Sequence, residues 1–233
     1  NTGSGIASVA GGGCSNTASG DCSFIGGGRS NISSGLSSVV VGGACNTSSG
    51  VGTVIGGGRS NKAVGNCNVI VGGEINRTIT GNHVFVGGGC CNVASGSCSV
   101  VTGGQGLSAI AAYDTVGGGC FNVATGGGST VAGGASGLSN GCQSFVGGGY
   151  NARSSGTHSV VVGGDTNYAL ADHSIVVGGD TNCSCICGAV VVGGISNKSS
   201  ACISIIGAGC SNEICNGGTE AASAIVGGSN NTI

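Results

Sequence analysis

Short apolar runs recur along the chain at a fixed interval. Phe24-Ile25, Val39-Val40-Val41, Val54-Ile55, Val69-Ile70-Val71 and Val160-Val161-Val162 are β-branched or aromatic, and each is followed by glycine. Such residues favour strands. Runs this short carry no helical pattern, which needs 3.6-residue periodicity over ten or more positions. Between the runs an asparagine marks the interval. It falls at Asn1, Asn16, Asn31, Asn46, Asn61 and Asn76, and one extra residue moves the next to Asn92. The 15-residue phase then passes Leu107, Asn122, Gly137, Ala152, Asn167, Asn182, Asn197 and Asn212, with Asn151 one place early, and a four-residue insertion precedes Asn231.

Counted from this corner, the repeat reads N-x-x-x-G-x-x-S-V-V-(V/G)-G-G-x-x. A repeat of this length over the whole chain predicts a solenoid, in which each turn packs on its neighbours. The expected fold is all-β, a parallel β-solenoid of about fifteen turns, each with two short strands and two corners. Regular repeats span residues 1–212, an insertion loop 213–222 and a last turn 223–233. At a strand spacing of roughly 4.8 Å the stack predicts a rod on the order of 70 Å long. Glycine and asparagine at the corners are expected to supply left-handed backbone. The corner series Asn16, Asn31, Asn46, Asn61, Asn76, Asn92, Asn122, Asn167, Asn182, Asn197 and Asn212 is expected to form a ladder of stacked, mutually hydrogen-bonded side chains.

Stacking turns phase into columns. The column nine places after the corner holds Ile25, Val40, Ile55, Ile70, Val86, Val101, Val116, Val131, Val146, Val161, Val176, Val191, Ile206 and Ile225, preceded by Ala10. This column is assigned to the interior. Side chains alternate along a strand, so the column before it (Val9, Phe24, Val39 and their copies) faces outward, and it is apolar too. A strand apolar on both faces is normally buried on both, so this face predicts self-association, with three chains round one axis as the preferred count.

Composition narrows the class. Of 233 residues, 55 are glycine and 15 cysteine; proline, methionine and tryptophan are absent, and 6% are charged. Collagen is excluded by the missing Gly-X-Y period and proline; disorder fits poorly with so many β-branched residues and so few charges. A net charge of −2 argues against a nucleic-acid surface. No apolar run reaches the length of a membrane span. The chain starts without methionine and shows no signal peptide, so it is expected to be a mature chain or a piece of a longer one.

The segments Ser38-Val39-Val40-Val41-Gly42-Gly43 and Asn16-Thr17-Ala18-Ser19-Gly20, with their copies, resemble the YadA-like head repeats of trimeric autotransporter adhesins and the similar repeats of phage and large-virus fibre proteins. The resemblance covers nearly all of the chain. It implies a left-handed parallel β-roll, intertwined as a homotrimer, on a cell surface or virion. Two departures are visible: a period of 15 where the adhesin heads use 14, and a far higher cysteine content.

Fifteen cysteines point to an oxidising compartment. Cys187 and Cys202 share a column on adjacent turns, which predicts a disulfide between them. Cys14, Cys90, Cys120 and Cys210 share another column but never on adjacent turns. Cys90 and Cys91 are neighbours in sequence, and Cys183, Cys185 and Cys187 alternate. The remaining cysteines are read as disulfides or small buried apolar groups, since none of these spacings matches a zinc pattern. His158 and His173 stack, as do Asp165 and Asp180. Both pairs are read as solvated surface groups rather than metal or calcium ligands. Arg59 and Glu74 stack with opposite charge. Asn-x-Ser/Thr acceptors for glycosylation occur at Asn31, Asn46, Asn76, Asn182, Asn197 and Asn230.

No catalytic constellation recurs, so no enzymatic activity, metal or cofactor is expected. The expected function is a structural or adhesive segment of an extracellular fibre: a rigid, disulfide-stabilised rod on a virion or cell surface. Its partners would be further copies of itself and a surface receptor or glycan, with no nucleic acid and no membrane insertion. The alternatives are a filament that polymerises head to tail and, less favoured because the column after the corner reads Thr17, Ile32, Thr47, Lys62, Arg77 and Val93, an ice-binding solenoid.

Overall fold

A computed structural model describes residues 1–215 and 222–233. The chain forms two compact units, Asn1–Gly118 and Gly119–Ile233. Both are parallel β-solenoids, about fifteen turns in all, and the described residues contain no helix.

Each turn gives two strands of two residues. In the first unit, eight first strands run from Thr2–Gly3 to Ser108–Ala109, and eight second strands from Val9–Ala10 to Thr115–Val116. In the second unit, the seven first strands run from Val123–Ala124 to Glu213–Ile214, and the seven second strands from Thr130–Val131 to Ala224–Ile225. Within each unit, strands pair with the same strand of the adjacent turns, in parallel and in register. Ile25 pairs with Val40, and Val40 with Ile55; Val146 pairs with Val161, and Val161 with Val176. A third line of single bridges, such as Cys14 to Arg29 and Ala135 to Tyr150, closes the turn just before each corner.

The slip of one residue is absorbed without loss of register. Val69 pairs with Phe85 and Thr78 with Ala94, which places the extra residue between Thr78 and Phe85. The expected insertion at 213–222 starts later than its pattern implied. Glu213–Ile214 form a strand paired with Lys198–Ser199, and residues 216–221 lie outside the described residues. Register resumes as Ile205 pairs with Ala224.

The interior of a turn is small and fully occupied. In the turn that starts at Asn31, the buried side chains are Asn31, Ser33, Ser38 and Val40, all with no exposure. The aliphatic column from Ile25 to Ile225 is buried throughout. Each such side chain contributes roughly 1.5–3 kcal/mol on leaving water. The hydroxyl seven places after the corner meets the small residue two places after it. Ser33 and Ser38 bond at 2.7 Å, Ser139 and Ser144 at 2.7 Å, and Ser154 and Ser159 at 2.6 Å. Where that small residue is Gly3, Ala18, Ala94 or Ala169, the hydroxyls of Ser8, Ser23, Ser99 and Ser174 are buried without a partner.

The corner geometry corrects two sequence expectations. The corner asparagines from Asn16 to Asn212 are not left-handed; the residue before each is, as with Ser30 (φ 55°), Ser60 (φ 56°) and Ser196 (φ 54°). Of the paired glycines, the second carries the positive φ in every turn, as at Gly43 (φ 86°) and Gly179 (φ 89°), whereas Gly42 and Gly178 do not. A Cβ on Gly43 would also lie 2.2 Å from the carbonyl oxygen of Gly58. That steric demand accounts for a glycine at this place in all fifteen turns.

Candidate functional site

The asparagines form a ladder, but of a different kind from a stack of amide side chains. Asn46 Nδ2 donates to the carbonyls of Gly42 (3.0 Å) and Gly58 (2.9 Å), and Asn46 Oδ1 accepts the backbone N–H of Asn61 at 3.0 Å. The same three bonds recur from Asn31 to Asn76 and, in the second unit, at Asn182 and Asn197. Contacts between the side-chain amides themselves are seen at the ends, from Asn16 to Asn1 and from Asn231 to Asn212. The reason is geometric: each amide nitrogen sits between two backbone carbonyls of adjacent turns and exhausts its donors there. In the second unit the ladder has a gap, because Gly137 and Ala152 carry no acceptor. Beside it, displaced Asn151 donates to the Tyr168 hydroxyl at 3.2 Å. A depression of about 390 Å³ opens there, lined by Leu138, Ala152, Arg153, Tyr168 and Leu170 among others.

These bonds bear on the glycosylation motifs. Asn31, Asn46, Asn76, Asn182 and Asn197 are fully buried. Their side-chain nitrogens are engaged with two carbonyls each. Asn230 alone of the six is exposed.

The outer side of the second strands and of the residue that follows each carries a repeated apolar feature. Phe24 is 40% exposed, Val41 53% and Val71 51%. In the second unit Phe145, Val162, Val177 and Val192 continue the pattern. Next in the chain comes the first glycine of the pair. A Cβ added at Gly27, Gly42, Gly57 or Gly72, or at Gly133, Gly163 or Gly178, would meet no atom within 4 Å. None of these glycines has a positive φ. The fold of one chain therefore gives no reason for glycine there, and the apolar stripe is bordered in each unit by bare backbone.

The cysteines predicted to pair are not bonded to each other. Cys187 and Cys202 are free thiols. A shared column sets only the Cα spacing, whereas a disulfide needs Cβ atoms that face each other, and side chains stacked in parallel register point the same way. The disulfide present joins Cys183 and Cys185, whose Cα atoms are 5.6 Å apart. They flank Ser184, which points inward, so both thiols share the outer face. Cys187 lies beyond this strand, at the next corner, and does not continue the alternation. Cys90 and Cys91 bring their sulfurs to 2.9 Å. The Cys90 thiol is held above its ordinary pKa, first by the hydrogen bond to Cys91, then by partial burial and the charges of Cys91 and Glu74, with Arg59 opposing.

Other predicted pairs sit as surface contacts. The His158 and His173 rings are 5.2 Å apart, and His158 Nε2 lies 2.7 Å from Gln143 Oε1. Asp165 and Asp180 bridge adjacent turns, and each accepts from the threonine that follows it. No group of three or more His, Cys, Asp or Glu suited to a metal ion occurs among the described residues. Arg59 pairs with Glu74, and Lys198 with Glu213 at 3.0 Å; exposed pairs of this kind contribute little.

One set of polar residues escaped the sequence reading. Five places after the corner, or six in the turn that holds the extra residue, Asp21, Asn66, Asp172 and Asn82 accept a backbone N–H of the preceding turn, at Ile6 (2.8 Å), Val51 (3.2 Å), Thr157 (2.7 Å) and Asn66 (2.9 Å) respectively. The sequence signal was present, since Asp and Asn are acceptors that cap turns, but at four of fifteen turns it falls below the noise of a repeat.

No family model matches the chain, and no curated protein matches it either.

Proposed function

We propose that the chain is a non-enzymatic structural segment of an extracellular fibre on a virion or cell surface. In this reading copies pack side by side, as a homotrimer, through the apolar face of the second strands. The observation that carries the proposal is that Gly27, Gly42, Gly57, Gly72, Gly133, Gly163 and Gly178 face open space without a positive φ, close to the exposed Phe24, Val41, Val71, Val162 and Val177. Bare backbone beside an apolar stripe allows close approach of another chain, and a stripe of this extent is unusual on a monomer. The resemblance to adhesin heads and viral fibres points to the same assembly. Abundant cysteine and the Cys183–Cys185 disulfide suit an oxidising surface location. An interior filled by small side chains suits a structural role.

Sedimentation equilibrium under non-reducing conditions tests this. A mass three times the 21.5 kDa of the chain is expected. A monomer at micromolar concentration would overturn the assembly, and a distribution that grows with concentration would replace it with a head-to-tail filament.

A further inference from the structure

We propose that Cys90 and Cys91 form a reversible modification site, a dithiol that reacts with low-molecular-weight disulfides and closes on itself. At several turns the corner they occupy brings two short consecutive side chains together. Cys14 Sγ lies 3.5 Å from Ser15 Oγ, and Cys210 Sγ lies 3.6 Å from Ser211 Oγ. Asp165 and Asp180 reach the next threonine hydroxyl at 2.7 and 2.6 Å. In each case the second residue is left-handed, as Cys91 is at φ 62°. That backbone turns its side chain back beside the preceding one. The same corner geometry sets the two sulfurs of Cys90 and Cys91 side by side. Both thiols are free, Cys91 exposed and Cys90 half-buried.

The neighbouring turns direct the outcome. Cys90 is bridged by Glu74 and Gln105, so neither adjacent turn presents a thiol in its column. In the first step the Cys91 thiolate attacks one sulfur of the small disulfide, forms a mixed disulfide and expels one thiolate. In the second, Cys90, its proton given to solvent, attacks the Cys91 sulfur and expels the other. Two protein thiols are oxidised and one small disulfide is reduced to two thiols, which take up the two protons. Adjacent Cα atoms stand about 3.8 Å apart across a trans peptide, closer than an unstrained disulfide prefers. Such bonds are readily reduced, so the site reopens in a thiol-rich medium.

The test incubates the full chain with oxidised glutathione, blocks remaining thiols with N-ethylmaleimide and maps fragments by mass spectrometry. The 90–91 pair is expected to lack two hydrogens and to carry neither glutathione nor maleimide, whereas Cys22 and Cys67 carry one or the other. Dithiothreitol should restore two maleimide-reactive thiols. Cys90→Ser should leave glutathione on Cys91, and Ser211→Cys should build a second self-closing pair with Cys210. Glutathione retained on the wild-type pair, maleimide on both sulfurs, or a Ser211→Cys pair that stays open would each overturn the proposal.

Discussion

Asn31 Oδ1 accepts the backbone N–H of Asn46 at 3.0 Å, and both residues are fully buried. One side chain thereby satisfies a backbone group of the next turn while its own nitrogen holds the glycine corners of two turns. Removing it strands buried polar groups, which costs more than the bonds themselves are worth. Asn46→Ala is expected to lower stability by roughly 2–4 kcal/mol, read as a reduced urea midpoint. An unchanged midpoint would show that water replaces the amide.

The two glycines of each pair should respond in opposite ways. Gly43→Ala places a Cβ at a positive φ and against the Gly58 carbonyl, so a loss of more than about 2 kcal/mol is expected. Gly42→Val meets open space and should change the stability of the chain by no more than about 0.5 kcal/mol. Combined with Gly57→Val, it should nevertheless reduce the mass in solution from that of the proposed trimer to that of a monomer. Retention of the trimer by the double variant would move the interface to another face.

Ser23 and Ser174 offer a gain. Each buries a hydroxyl without a partner opposite Ala18 or Ala169. Ala18→Ser or Ala169→Ser reproduces the Ser33–Ser38 pairing and should stabilise by about 1 kcal/mol. A destabilised variant would show that the interior has no room for the added oxygen.

The raised pKa of Cys90 keeps it protonated to higher pH than an ordinary thiol. Cys91→Ala removes the principal cause, the hydrogen bond, together with a like charge. The Cys90 pKa should then fall, its thiolate fraction near pH 8 should rise, and alkylation at Cys90 should accelerate. A rate unchanged or slowed would assign the shift to burial.

Produced through a eukaryotic secretory route, the folded chain should carry a glycan at Asn230 and at none of the five corner asparagines of its other acceptor motifs. Glycopeptide mapping reads this directly. Occupancy at Asn46 would mean that modification precedes closure of its corner.

The period, the strands, the aliphatic interior and the register between turns were all legible in the sequence, because a solenoid converts spacing along the chain directly into position in space. Val40 meets Ile25 and Ile55 for no reason beyond their being 15 residues away. What spacing does not encode is direction and handed backbone. The sequence marked asparagine and glycine as corner residues, but only the folded turn showed that asparagine serves as a bridge between turns, and that the left-handed residue precedes it. Cys187 and Cys202 shared a column and are not bonded, while Cys183 and Cys185 joined and Cys90 met Cys91. A column determines how far apart two residues lie; the local φ and the face of the strand decide which way their side chains point, and bonding between side chains depends on both.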